Sequence, residues 1–144
     1  AKLAGKNGLE NVLVTNGYVN MKPLEEMLPY VDAMNIDLKA FNEDFYKKLC
    51  GGRLKNVLAV IKRASRSCHV ELTTLIIPGL NDSEEEMKRE ADWIRDIAGA
   101  ETPLHISRYF PCHKMKIPPT PVNTIERMRE AAMKSLKYVY PGNV

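Results

Sequence analysis

The chain has 144 residues, one ordinary domain length. Its 44% apolar and 27% charged residues are those of a globular protein, which excludes a disordered or fibrous chain. A net charge of +3 is too small to indicate nucleic acid or an anionic membrane as partner, and no apolar run approaches the ~20 residues of a spanning helix. The opening AKLAGKNGLE has no apolar core before a small-residue cleavage site, so a cytoplasmic protein is expected. Cys50, Cys68 and Cys112 form no CxxC pair. Their spacing defines neither a zinc site nor a disulfide framework, and three reduced thiols suit that compartment.

Strand and helix patterns alternate along the chain. Asn11–Asn16 (NVLVTN) is a β-branched run stopped by Gly17. Lys22–Tyr30, with Pro23 near its start, reads as a short helix. Ala33–Lys39 reads as a strand, and Asn42–Leu49 as a helix closed by Gly51-Gly52. Leu54–Ser65 carries Leu54, Val57, Leu58 and Ile61 at helical spacing. His69–Ile77 is a strand ending at the Pro78-Gly79 turn. Asp82 or Ser83 opens a helix whose stripe is Met87, Ala91 and Ile94, and Glu84–Glu86 read as its solvated first turn. Leu104–Phe110 is a strand, and Lys114–Pro121 a proline-rich loop. Val122–Leu136, opened by Asn123 or Thr124, is the last helix, and Tyr138–Tyr140 begins one further strand.

This order calls for a parallel α/β sheet with right-handed crossovers. A parallel sheet covered on both faces has nearly continuous apolar strands. These strands alternate instead: Met34, Ile36 and Leu38 against Asn35, Asp37 and Lys39; Val70, Leu72, Thr74 and Ile76 against Glu71, Thr73, Leu75 and Ile77; Leu104, Ile106 and Arg108 against His105, Ser107 and Tyr109. Three strands thus share a polar face. It either lines a barrel that holds a polar ligand or is simply wet. Asp37 and Lys39 on one strand face favour the ligand, because buried opposite charges need polar partners.

Thr15-Asn16-Gly17 and Asp37-x-Lys39 both fall at carboxyl ends of strands, where parallel α/β folds place ligands. A carboxylate accepts from an amine or from ribose hydroxyls, and an ammonium pairs with a carboxylate, so Asp37 and Lys39 suit a zwitterionic amino-acid moiety. A self-contained ion pair and a Schiff-base lysine at Lys39 are the other readings. His105 and His113 are lone histidines without a partner pattern, and Ile76–Asp82 needs no more than a turn and a cap.

Five blocks in this order are similar to radical S-adenosylmethionine enzymes: VLVTNGY (Val12–Tyr18), NIDLKAF (Asn35–Phe41), LCGGRL (Leu49–Leu54), VELTTLIIPGLND (Val70–Asp82) and ISRYFP (Ile106–Pro111). The chain most resembles the AmmeMemoRadiSam subgroup, a relative of pyruvate formate-lyase activating enzymes. The resemblance implies a partial (β/α)6 barrel of TIM type. Its [4Fe-4S] cluster sits on a CxxxCxxC loop after the first strand, and a GGEP-type segment after the second contacts the methionine amine. Neither motif is present here. Residues 1–144 are therefore expected to be a single unit, the C-terminal part of a longer barrel, with parallel strands three to six and outer helices.

The resemblance also implies site residues. Thr15, Asn16 and Gly17 match the TNG beside adenosylmethionine. Asp37 and Lys39 match the D-x-K whose side chains reach its ribose and methionine ends. Thr73 aligns with a fifth-strand position that is often arginine, and Tyr109 and Phe110 fall near sixth-strand residues that approach adenine. Two positions depart from the activating enzymes: Val14 stands where they often carry an aspartate, and Thr73 supplies no guanidinium. In the intact family a reduced cluster cleaves adenosylmethionine, and the 5′-deoxyadenosyl radical abstracts hydrogen from a substrate. The implied partner is a glycyl radical enzyme or another protein or peptide. This chain alone is expected to bind no cluster and to be inactive. Two alternatives stay open, a Schiff-base lyase using Lys39 and a non-catalytic scaffold that associates through exposed sheet edges.

Overall fold

A computed structural model describes residues 1–144. Five parallel strands lie side by side in chain order: β1 (Val12–Thr15), β2 (Ala33–Asp37), β3 (His69–Ile76), β4 (Leu104–Arg108) and β5 (Val139–Gly142). β1 to β4 fall within the stretches read as strands, and β5 begins at Val139 but runs on through Pro141-Gly142. The expected four-strand wall is corrected to five, because β5 pairs along its length with β4. Pro141 is tolerated within β5 because that strand is an edge and needs no N–H on its outer side.

The helices are α1 (Lys2–Lys6), α2 (Met21–Met27) with a 3-10 turn at Leu28–Tyr30, α3 (Glu43–Phe45) with a π turn at Tyr46–Cys50, α4 (Leu54–Ala64), α5 (Glu84–Ala98) and α6 (Val122–Ala132). The side chain of Asn42 opens α3 by accepting from the Asp44 and Phe45 amides, and Gly51 closes the π turn at φ +65°. Ser83 caps α5, whereas Asp82 accepts from the Gly79 amide. α6 begins after Pro121 rather than at a side-chain cap, and it stops at Ala132 rather than Leu136. α1 has no buried residue and no apolar stripe, so periodicity gives it no signal.

Twenty-five buried residues form one core between the sheet and its helices. Met34, Ile36, Val70, Leu72, Ile76, Leu104, Ile106 and Val139 face Leu24, Val57, Ile61, Ile94, Ile125 and Met128. Asn35, Asp37, Glu71, Thr73, His105 and Ser107 occupy the opposite face and stay partly exposed. Register aligns them across strands: Asn35 with Glu71, Asp37 with Thr73, and Thr73 with His105. The sheet is thus apolar toward its helices and polar on the other side. A second cluster of Ala40, Phe45, Ile77 and Tyr109 packs at the carboxyl ends of the strands.

Gly17 turns the chain out of β1. Its φ is +67°, and an added Cβ would stand 2.8 Å from Ile36 Cγ2 and 3.1 Å from Val57 Cγ1. Gly17→Ala therefore combines a strained backbone with overpacking of the core, and a loss of about 2 kcal/mol is expected in urea unfolding. An unchanged midpoint would contradict this packing.

A candidate ligand-binding site at the carboxyl ends of β1 and β2

Asp37 ends β2, and Lys39 follows two residues on. Lys39 Nζ lies 2.6 Å from Asp37 Oδ2, with the side chains 40% and 31% exposed, so the pair is open to a ligand. The backbone that carries it is held by side chains from three other elements. The Lys39 amide donates to the Tyr46 hydroxyl (3.1 Å), and the Lys39 carbonyl accepts from Asn81 Nδ2 (2.8 Å). Asn81 also donates to the Leu75 carbonyl (2.9 Å) and accepts from the Ile77 amide (2.7 Å), which satisfies nearly all of a buried amide's capacity. The Leu38 amide donates to the Thr73 carbonyl (3.0 Å). Glu86 accepts from the Phe41 amide (3.0 Å) and from Asn42 Nδ2 (3.4 Å).

The loop after β1 meets this segment. Thr15 pairs in register with Ile36 and so shares the helix-side face; its hydroxyl accepts from the Gly17 amide (3.1 Å) and shapes the turn. Asn16 accepts from the Tyr18 amide (3.0 Å). A cavity of about 140 Å³ is lined by Asn16, Tyr18, Lys39, Tyr46, Cys50 and Gly52. Burial pushes the Tyr46 phenol above its ordinary value. Burial also pushes the Cys50 thiol up, against the opposing charge of Lys39.

Further along the open face, Thr73 donates to Asn35 Oδ1 (2.9 Å). Glu71 contacts His105 Nε2 (2.7 Å) and His69 Nε2 (3.2 Å). The hydrogen bond from His105 holds the Glu71 carboxyl below the usual range; burial opposes it, and His69 adds to it. Val14, in register with Asn35, stands exposed on this face. Tyr109 and Phe110 do not line the cavity beside Lys39. Tyr109 is buried in the second cluster, where its hydroxyl donates to the Met115 carbonyl (3.2 Å). Phe110 is exposed, with the Arg108 guanidinium 4.7 Å from its ring centroid. His113 lies exposed in the loop after β4.

Sequence reasoning misses the residues that hold the Lys39 segment: Tyr46, Thr74, Asn81, Glu86 and Glu90. The reading of Glu84–Glu86 as solvated holds for Glu84 and Glu85, but Glu86 is buried at 6% exposure. A signal is present. Glu86 and Glu90 are four apart and adjacent to Met87 and Ala91, so helical spacing puts both on the edge of the apolar stripe.

A parallel sheet in sequential order, with its helices on one face and a charged pair beyond a strand end, is the wall of an open α/β barrel. The family model of the radical SAM superfamily matches residues 1–91, and the chain belongs to that superfamily. It is 48% identical to the uncharacterized protein MJ0808 of Methanocaldococcus jannaschii, over 99% of this chain and 43% of that protein. It is 27% identical to the pyruvate formate-lyase 1-activating enzyme of Escherichia coli K12, over 67% of this chain and 40% of the enzyme. The chain thus spans less than half the length of these curated relatives. The crystal structure of a domain of pyruvate-formate lyase-activating enzyme from Bacteroides vulgatus superposes with a TM-score of 0.83 at 17% identity, covering 99% of this chain and 86% of that domain, and this likeness shows the fold.

The residues present do not fit a [4Fe-4S] cluster. Cys50 and Cys112 are exposed, Cys68 is partly buried just before β3, and no three His, Cys, Asp or Glu side chains converge on a metal position. Lys39 shares a cavity with Asn16, and its partner Asp37, also partly exposed, stands 2.6 Å away, so the pair presents both charges to a zwitterionic ligand. Asn81→Ala leaves the Ile77 amide and the Lys39 and Leu75 carbonyls without their partner, so a loss of roughly 3 kcal/mol is expected in urea unfolding. A change within about 0.5 kcal/mol would contradict the role given to Asn81.

Proposed function

We propose that this chain forms the nucleoside- and amino-acid-binding wall of a partial (β/α)6 barrel in a radical S-adenosylmethionine enzyme of the glycyl-radical-activase-like kind. The observation that carries the reading is the Asp37–Lys39 pair, held at 2.6 Å at the carboxyl end of β2, where Lys39 lines a cavity with Asn16 and the Tyr46–Cys50 turn. Asp37 accepts from ribose hydroxyls or the methionine amine, and Lys39 pairs with the methionine carboxylate. Asn16 lines the cavity beside Lys39, Thr73 and Asn35 extend the polar floor, and Thr15 and Gly17 keep the turn in shape. Asp37 and Lys39 would hold adenosylmethionine by its ribose and methionine ends, and the bound cofactor would supply radical chemistry for hydrogen abstraction. The cluster's cysteines lie outside these residues, and the substrate is a protein, a peptide or another polar molecule that enters over the open face. The free edges at β1 and β5, with Val12 and Val14 exposed, favour pairing with further strands.

Isothermal titration with adenosylmethionine tests the assignment. Asp37→Asn and Lys39→Met are each expected to weaken binding at least about tenfold, the size of one lost charge-assisted contact, with an unchanged circular dichroism spectrum. Equal affinity in both variants would overturn it. Borohydride trapping of a carbonyl adduct on Lys39 would favour a Schiff-base enzyme instead.

A further inference from the structure

Four side chains bond the backbone from Leu38 to Phe41, and behind one of them, Thr74, stands a carboxyl group in the core. Thr74 Oγ1 lies 2.9 Å from the Leu38 carbonyl oxygen and 2.5 Å from Glu90 Oε1. Thr74 and Glu90 are each 1% exposed. A hydroxyl has one proton to give. If Thr74 donates to Leu38, the proton of the second bond belongs to Glu90. If Glu90 is ionised it can only accept, the Thr74 hydroxyl donates to it, and the Leu38 carbonyl loses its donor. The carboxyl is therefore coupled, through one rotatable hydroxyl, to the peptide that carries Lys39.

No cation answers Glu90. On its own helix the charged neighbour is Glu86, which raises the cost of ionisation. On the π turn the neighbour is the Tyr46 phenol, itself bonded to the Lys39 amide. β3 presents the Thr74 hydroxyl. α4 and α6 contribute apolar residues to the adjoining core, among them Val57, Ile61, Ile125 and Met128, and Arg127 of α6 pairs outside with Glu84. Asp37 and Lys39 are paired with each other on the open face. Burial first, with Glu86 adding to it and the Thr74 bond opposing, pushes the Glu90 carboxyl up to about 8.

We infer that Glu90, held neutral in the core and acting through Thr74, is a positioning residue that locks the Leu38–Lys39 peptide in its ligand-binding geometry and releases it on ionisation. This rests on the reading that Asp37 and Lys39 receive the cofactor. Glu90 touches no ligand. It contributes by fixing the peptide between the two residues that do.

Carbon-detected NMR of the ¹³C-labelled chain, from about pH 6.5 to about pH 9.5, tests the lock without cofactor. The Glu90 carboxyl and the Leu38 carbonyl resonances are expected to titrate together with a midpoint near 8. Glu90→Gln, whose amide donates to Thr74 as the neutral acid does, is expected to hold the low-pH Leu38 position at every pH. Thr74→Val is expected to show the released position throughout. Adenosylmethionine affinity of the wild-type chain is expected to fall about tenfold across the same interval and to stay constant in Glu90→Gln. A Glu90 carboxyl already ionised at the low-pH limit, or a Leu38 resonance indifferent to its titration, would overturn the lock. Co-titrating resonances with no adenosylmethionine binding in any of the proteins would instead overturn the cofactor reading, and with it the positioning role.

Discussion

Right-handed crossovers dictate which face of this sheet stays open. When parallel strands follow one another in chain order, each right-handed connection returns on the same side. The order β1-β2-β3-β4-β5 has no reversal, so α2, α4, α5 and α6 gather on one face. The apolar residues of the strands are spent there, in a single core of 25 buried residues. The other face has no helix to meet and carries Asn35, Asp37, Glu71, Thr73, His105 and Ser107. Handedness of the connections, sequential order and polar alternation are one constraint seen at three levels.

An open polar face does not by itself make a site, because exposed side chains on a loop wander. The segment after β2 is stiffened from beneath. Tyr46, Asn81, Thr74 and Glu86 bond the amides and carbonyls of Leu38, Lys39 and Phe41 directly. Tyr46 comes from the π turn just downstream, and the other three come from the contiguous run of β3, the β3–α5 connection and α5, 36 to 45 residues on. Convergence of several elements on three peptides leaves the ion pair above them little freedom to drift. A polar network inside a hydrophobic core is costly unless every member is satisfied, and here no buried side-chain polar atom lacks a partner.

The sheet is legible in the sequence because β2 alternates strictly and the middle of β3 and β4 repeats its pattern. Period two alone puts Met34, Ile36 and Leu38 on one face and Asn35, Asp37 and Lys39 on the other. Glycine and proline mark most turns for reasons of backbone geometry, Gly17 and Gly51 both adopting positive φ. The charged pair is legible as two opposite charges two apart on a strand. The supports beneath it are not, since their partners are backbone groups 42 residues away for Asn81 and 45 for Glu86. Thr15 reads from its place at a strand end as facing a ligand, but register with Ile36 turns it to the helix side. Tyr109 and Phe110 sit beyond β4, where alternation no longer fixes direction, and they part company, one buried and one exposed.

Belonging to the radical SAM superfamily gives the open face a chemical meaning that fold alone would not, since parallel α/β walls serve many reactions. The most direct measurement is a crystal structure of this chain soaked with adenosylmethionine. Density is expected on the helix-free face, with the methionine end against Lys39 and the ribose against Asp37. Density confined to another surface, or a Lys39 side chain folded away beneath the helices, would contradict the assignment of that face.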